Sequence, residues 1–304
     1  MRIFITGATG TIGQAVAAAL ARAGHQVAGL VRSEAKASQL EALEVAPVFG
    51  SMADPDSFRQ AAEASEVLVH CAAEMSPRHW ELDRQTTEAL LTAARLAGRP
   101  RLVVYTSGVW VYGDTGGALV DETSPLAPPD LVAPRVDIEA MVLAANGGAL
   151  RTLVIRPGCV YGGRGGLTAA WFDSALREGA ARIVGDGSFR WAMVHLEDLA
   201  EAYVRAVEWP MGGEVFNVTD RSRFTVRECA EAASRAAGAE GRVTVTPLED
   251  AQRAMGGLAA CLTLDQHVDA RKAVRLLGWQ PRHGGFVDGV ERYFRAWKAL
   301  TGRV

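Results

Sequence analysis

Apolar positions in the first half of the chain fall in short runs rich in β-branched residues, separated by longer alanine-rich stretches with helical spacing. RIFIT (2–6), QVAGLV (26–31), EVLVHCA (66–72), RLVVYTS (101–107) and LRTLVIRPG (150–158) read as strands. TIGQAVAAALARAG (11–24), SFRQAAEA (57–64), HWELDRQTTEALLTAARLAG (79–98) and VDIEAMVLAANG (136–147) read as helices. Strands with no polar face, alternating with helices, predict a parallel sheet covered on both sides. Such βαβ units cross over right-handed and build a doubly wound α/β sheet of Rossmann type.

Beyond residue 163 the rhythm changes. Glycine-rich loops (GGRGG, 162–166; GDGSFRW, 185–191) mix with the helical stretches 196–208 and 225–238. The reading is a dinucleotide-binding domain over 1–163, which also receives segments near 190–220. A smaller interleaved substrate lobe over 164–304 covers the carboxyl edge of the sheet.

Composition narrows the class. Of 304 residues, 49% are apolar and 22% charged, as in an ordinary globular protein. The net charge is −3 with no long basic run, which argues against nucleic acid as a partner. No membrane-length apolar run and no signal-peptide pattern is evident. Cys71, Cys159, Cys229 and Cys261 are scattered without a C-x-x-C pair. They suit reduced thiols in a cytoplasm and suggest no metal site.

Gly7-Ala8-Thr9-Gly10-Thr11-Ile12-Gly13 follows the first strand and opens the first helix. In such a loop the first glycine permits a tight turn, the second admits a pyrophosphate, and the third lets helix pack on strand. Free amides and the positive end of the helix dipole then face the phosphates. At the end of the second strand, where an acidic residue usually meets the ribose of NAD, the chain has Arg32 and Ser33. A guanidinium pairs well with a 2′-phosphate, so NADP(H) is favoured over NAD(H). The bland alternative makes Arg32 a solvated surface residue.

TGATGTIG (6–13), HCAA (70–73), YTSGVWVYG (105–113), RPGCVYG (156–162), VHLEDLAEAY (194–203) and LDQHVDARKAVRLLGWQPR (264–282) together resemble the extended short-chain dehydrogenase/reductase family, with its NAD-dependent epimerases and dehydratases. The likeness covers nearly the whole chain. It implies that Gly7, Thr9, Gly10 and Ile12 cradle the pyrophosphate, along with Thr11 and Gly13 of the same loop. Ser51 and Met52 would flank the adenine. Cys71, Ala72 and Ala73 would pass under the ribose, with Thr106 nearby, and Pro157 and Val160 would wall the nicotinamide. Relatives often dimerise through helices such as 79–97 and 131–147, so a homodimer is possible.

The resemblance also implies a Tyr-x-x-x-Lys pair one helical turn apart and an orienting serine. Aligned on the helix body DIEAMVLAA, the Tyr position falls at Leu131 and the Lys position at Arg135. None of the five tyrosines has a lysine four residues on; the only lysines are Lys36, Lys272 and Lys298. The orienting serine falls at Gly108, next to Ser107. Arg135 stays charged and cannot shuttle protons, but it can bond ribose hydroxyls or a substrate anion. Alternatively it is a helix-face cation paired with Glu139. Tyr161 and Tyr112 are the candidate replacement acids, each weighed evenly against plain packing, with an ordered water as the third candidate donor. His195 with Asp198 reads as a structural pair.

Trp110, Trp171 and Trp191, with Tyr161, suggest an aromatic substrate pocket, and Arg164 and Arg190 suggest an anion contact. Three functions stay open: an NADP(H)-dependent oxidoreductase on a small carbonyl compound with a non-standard proton donor, a catalytically silent NADP(H) sensor, and a nucleotide-sugar epimerase or dehydratase.

Overall fold

The computed structural model describes residues 1–74, 76–96 and 98–303. In chain order its strands are β1 (Arg2–Thr6), β2 (Gln26–Val31), β3 (Ala46–Phe49), β4 (Val67–His70), β5 (Arg101–Thr106), β6 (Leu119–Val120), β7 (Leu150–Pro157), β8 (Cys159–Tyr161), β9 (Ala181–Val184), β10 (Met193–His195), β11 (Glu214–Val218), β12 (Val243–Thr246) and β13 (His267–Val268). Seven of them form one parallel sheet in the order β11-β7-β5-β4-β1-β2-β3. The chain winds one way from β1 to β3, then returns to β4 and winds the other way. The direction therefore switches between β1 and β4, which opens a crevice at their carboxyl ends.

The helices that cover this sheet are α1 (Thr11–Arg22), α2 (Glu34–Glu41), α3 (Asp56–Ala64), α4 (His79–Leu96), α5 (Pro134–Ala144) and α7 (Leu196–Glu208), whereas α6 (Ala169–Glu178) and α8 (Val226–Ala236) pack with β9 in the second lobe. Strand alternation assigns the faces. Ile3 and Ile5 point into a core shared with Val16, Leu20, Leu199 and Tyr203 of α1 and α7. Phe4 points to the other face, against Phe58, Leu90 and Leu91 of α3 and α4. The apolar runs read as doubly covered strands are buried on both sides. The predicted helix 79–98 is present as α4; position 97 lies outside the described residues.

β11, far along the chain, closes one edge of the sheet beside β7, and α7 packs on α1. His195 caps α7 by accepting the Glu197 amide at 3.2 Å. Asp198 then holds the segment after Trp279: its carbonyl accepts the indole N–H at 2.7 Å and its carboxylate accepts the His283 amide at 3.0 Å.

A second core gathers Trp171, Phe172, Trp191, Phe286, Tyr293 and Trp297 around β9 and α8. α8 opens with a reciprocal capping box between Thr225 and Glu228. Among the described residues, no helix is long and apolar enough to cross a membrane.

Candidate active site

The glycine loop sits at the β1–β4 crevice, and its glycines are required by space. Gly7 has φ +74°, and a Cβ there would lie 2.5 Å from the Ala72 backbone. A Cβ on Gly13 would overlap the Gly7 carbonyl oxygen. Gly10 takes the N-cap of α1 with no side-chain cap, and no acidic residue stands in the first turn. The first amides of α1 are thus left for an anion. These features fit a dinucleotide pyrophosphate. Thr9 is half-buried and Thr11 exposed. The 163–166 loop passes so close to Thr11 that a Cβ on Gly165 would lie 2.7 Å from its hydroxyl.

Arg32 and Ser33 are exposed at the end of β2. Arg32 pairs with Glu74 at 3.2 Å while most of its side chain stays in solvent. The Ser51 hydroxyl accepts the Ala53 amide at 3.0 Å, and Met52 is buried. Thr106 donates to the Cys71 sulfur at 3.3 Å and also bonds the Tyr203 hydroxyl. Burial pushes the Cys71 thiol up to about 11, so it remains a thiol at neutral pH. Ala73 is exposed beside half-buried Ala72.

A cavity of about 160 Å³ adjoins this loop. Ile12, Trp110, Val132, Pro157 and Val160 supply apolar walls; Ser107, Gly108 and Arg135 close one side. Arg135 donates from Nη1 to the Ser107 carbonyl at 2.8 Å and lies over the Trp80 ring at 5.3 Å. Its Nε is buried without a partner, as is the Trp110 indole nitrogen. Ser107 reaches this cavity although it stands one place before the expected position, but its hydroxyl donates to Glu139. Leu131, at the aligned Tyr position, is exposed, and its carbonyl accepts the Trp80 indole N–H at 3.2 Å.

Several expectations are corrected. Arg135 does not pair with Glu139, because Glu139 is buried against Arg156 with Nε–oxygen distances of 3.0 and 3.1 Å. Arg156 also donates to the Tyr112 hydroxyl at 2.8 Å, and Tyr112 donates to Asn217 at 2.8 Å. Tyr112 is therefore locked in a buried network and does not line the cavity. Tyr161 is fully buried in the second core, edge-on to His195 and Phe286. Burial, and then the charge of Asp220, push its phenol far up, away from neutral acid–base work.

Trp171 and Trp191 stack on each other at 5.1 Å inside that core and do not line the cavity. Arg164 is exposed and also lies off the cavity, and Arg190 borders a different one. Trp110 alone of the three tryptophans faces it. Burial and the neighbouring His283 depress His195 to about 4, which leaves it a neutral cap.

Sequence reasoning missed the Glu139–Arg156 pair and Trp80 beneath Arg135. The signal for the pair was available: a charged residue inside the apolar run LVIRP needs a buried partner.

Fold and loop together define a dinucleotide-binding doubly wound protein. A family model described as "NAD dependent epimerase/dehydratase family" matches residues 3–219. The chain belongs to this family, which is of the extended short-chain dehydrogenase/reductase type with an NAD(P)-binding Rossmann fold. It is 31% identical over 306 residues to a UDP-glucose 4-epimerase of Mycolicibacterium smegmatis, covering 93% of this chain and 94% of the relative. It is 30% identical over 263 residues to a 4-hydroxy-2-methyl-3-oxo-4-farnesyl-3,4-dihydroquinoline-1-oxide ketoreductase of Stigmatella aurantiaca, covering 84% and 78%. In fold it is similar to the UDP-glucose 4-epimerase of Thermotoga maritima solved with UDP-glucose, with a TM-score of 0.84, 21% identity, and 99% and 100% of the two chains covered.

Proposed function

We propose that the protein is an NADP(H)-dependent reductase of a small carbonyl compound, with Arg135 in place of the usual lysine and no side-chain acid in place of the tyrosine. The observation that carries this reading is the 160 Å³ cavity joining the glycine loop to Ser107, Arg135 and the Pro157–Val160 wall. The ketoreductase relative supports it.

The nicotinamide supplies a hydride to the carbonyl carbon when bound. The chain's own residues do the rest. The α1 amides and Gly7–Gly13 bind the pyrophosphate, and Arg32 meets the 2′-phosphate. Ile12, Val132 and Val160 exclude bulk water and raise the strength of charge interactions in the cavity. Arg135, fixed by the Ser107 carbonyl and Trp80, lines the cavity and offers its guanidinium to ribose hydroxyls or to the oxygen that gains negative charge. The proton that completes the alcohol comes from water. Ser107 holds the shape of the site through Glu139 and Arg156 and keeps its own proton there.

A second reading, a silent NADP(H) sensor, is favoured by Leu131 at the aligned Tyr position. One assay divides the two: NADPH oxidation against a panel of ketones, aldehydes and enones. Turnover is the expected result. Micromolar NADPH binding with no turnover across the panel overturns the reductase reading in favour of the sensor.

A further inference from the structure

A second cavity, of about 600 Å³, lies where the loop after β11 (219–223) meets the 266–271 segment. It shares no lining residue with the reaction cavity. Three guanidiniums border it, those of Arg190, Arg221 and Arg223. Among the described residues none of the three has a carboxylate within ion-pair distance, whereas nearby Arg271 is neutralised by Asp269. Arg190 donates from Nε to the Arg223 carbonyl at 3.1 Å, which leaves its terminal nitrogens free for a ligand. Glu228, whose charge Arg190 feels, spends its carboxylate on Thr225. Asp265 accepts the Arg190 backbone amide at 2.8 Å, and Asp220 and Asp269 line the cavity. With Arg271 counted, its four arginines outnumber these two lining aspartates, an excess of positive charge on a chain of net charge −3 that suits an anion.

The lining also holds a buried amide acceptor. Gln266 is 2% exposed and donates both amide hydrogens, to Val109 O at 2.9 Å and Gly113 O at 2.8 Å. Its own Oε1 is buried without a partner. Asp220 accepts the Ser222 amide on Oδ1 at 2.9 Å, and its carboxylate also faces the Tyr161 hydroxyl, so Gln266 Oε1 is the orphaned acceptor of the lining. A buried acceptor left unmade costs about 1–3 kcal/mol, so each such group calls for a donor. Guanidiniums and an orphaned acceptor in the lining of one cavity match a molecule that carries both an oxyanion and a hydroxyl.

We propose that this cavity binds a hydroxyl-bearing organic phosphate. Its phosphate sits on Arg190, Arg221 and Arg223, and a hydroxyl donates to Gln266 Oε1. The site is distinct from the cofactor cradle and does not depend on the reductase reading. Because Gln266 also holds the 109–113 turn that borders the reaction cavity, the ligand would touch the residue that fixes that turn.

Calorimetry on the full chain tests this with glycerol 3-phosphate, inorganic phosphate and glycerol, each on the wild type and on the Arg221→Ala/Arg223→Ala double variant. Both substituted arginines are exposed, so the fold should survive. Glycerol 3-phosphate should bind saturably and at least tenfold more tightly than inorganic phosphate, with no saturable heat from glycerol. The double variant should lose at least tenfold in affinity for glycerol 3-phosphate while its NADP+ affinity and Tm stay unchanged. No saturable binding of either phosphate, equal binding by wild type and variant, or equal affinity for the two phosphates would each overturn the proposal. The NADP+ titration reports separately on the cradle.

Discussion

Arg135 donates from Nη1 to the carbonyl oxygen of Ser107 at 2.8 Å. The contact pins a cation to the end of β5, at the edge of the cavity, and Trp80 backs it from the other side. The guanidinium is thus oriented by a hydrogen bond and a ring face together, an arrangement that an ammonium cannot reproduce with the same geometry.

Removing this group should cost most in catalysis. Arg135→Ala loses a charged hydrogen-bond donor, worth about 1.5–3 kcal/mol. That corresponds to a fall in kcat/KM of roughly tenfold to a hundredfold. Arg135→Lys keeps the charge and should fall between wild type and Arg135→Ala. Steady-state kinetics on any substrate found in the carbonyl panel reads both variants. Full activity in Arg135→Ala would remove the residue from the mechanism.

The tyrosines should separate by stability rather than by chemistry. Tyr112→Phe strips a partner from both Arg156 and Asn217, a loss of about 1–3 kcal/mol in chemical denaturation. Tyr161→Phe removes a buried hydroxyl whose polar neighbour, Asp220, keeps the Ser222 amide, so stability should change by less than in Tyr112→Phe. Activity should survive in both. A loss of turnover in folded Tyr161→Phe would restore it as an acid.

Breaking the buried ion pair should be costlier than either change. Glu139→Gln leaves Arg156 charged and uncompensated, and about 3–5 kcal/mol should be lost in the same denaturation experiment. A change below about 1 kcal/mol would mean that water reaches the pair.

Cofactor preference tests Arg32 and Glu74 together. Arg32→Ala should weaken NADPH about tenfold or more while leaving NADH little changed, as measured by fluorescence titration. Glu74→Gln frees Arg32 from its partner at 3.2 Å and should tighten NADPH. Equal losses for both cofactors in Arg32→Ala would end the NADP(H) preference.

Asp220 gives a signed pH effect. Burial raises its carboxyl to about 6 from an ordinary 3.8, with Asp198 adding to the rise against its hydrogen bonds. The folded state then holds a proton that the unfolded state has released, so this group makes stability fall as pH rises from about 4 to about 6. Asp220→Asn should match the wild type near pH 4 and exceed it above pH 6 by up to roughly 3 kcal/mol. Urea denaturation across that range checks the sign, and a constant difference would contradict it.

The strands and helices of the sheet were legible because burial on both faces leaves an uninterrupted apolar run, and Gly7-x-x-Gly10-x-x-Gly13 was legible because each glycine answers a local steric demand. What joins distant segments was not. Tyr112 depends on Arg156 and Asn217, and Trp171 depends on Trp191; local spacing carries no trace of such partners. Tyr161 follows the cavity wall in sequence, yet it belongs to another core. The chain leaves the main sheet just after Pro157, and β8 pairs with β10 instead, which carries the side chain away. Arg135 was legible as a position but not in its contacts, since Trp80 lies on a different helix.

The most direct test of the account is label transfer. NADPH deuterated at the nicotinamide C4, incubated with the protein and the carbonyl panel, should give an alcohol carrying one deuterium at the former carbonyl carbon, with the yield falling in Arg135→Ala. Tight NADPH binding without deuterium in any product would contradict it.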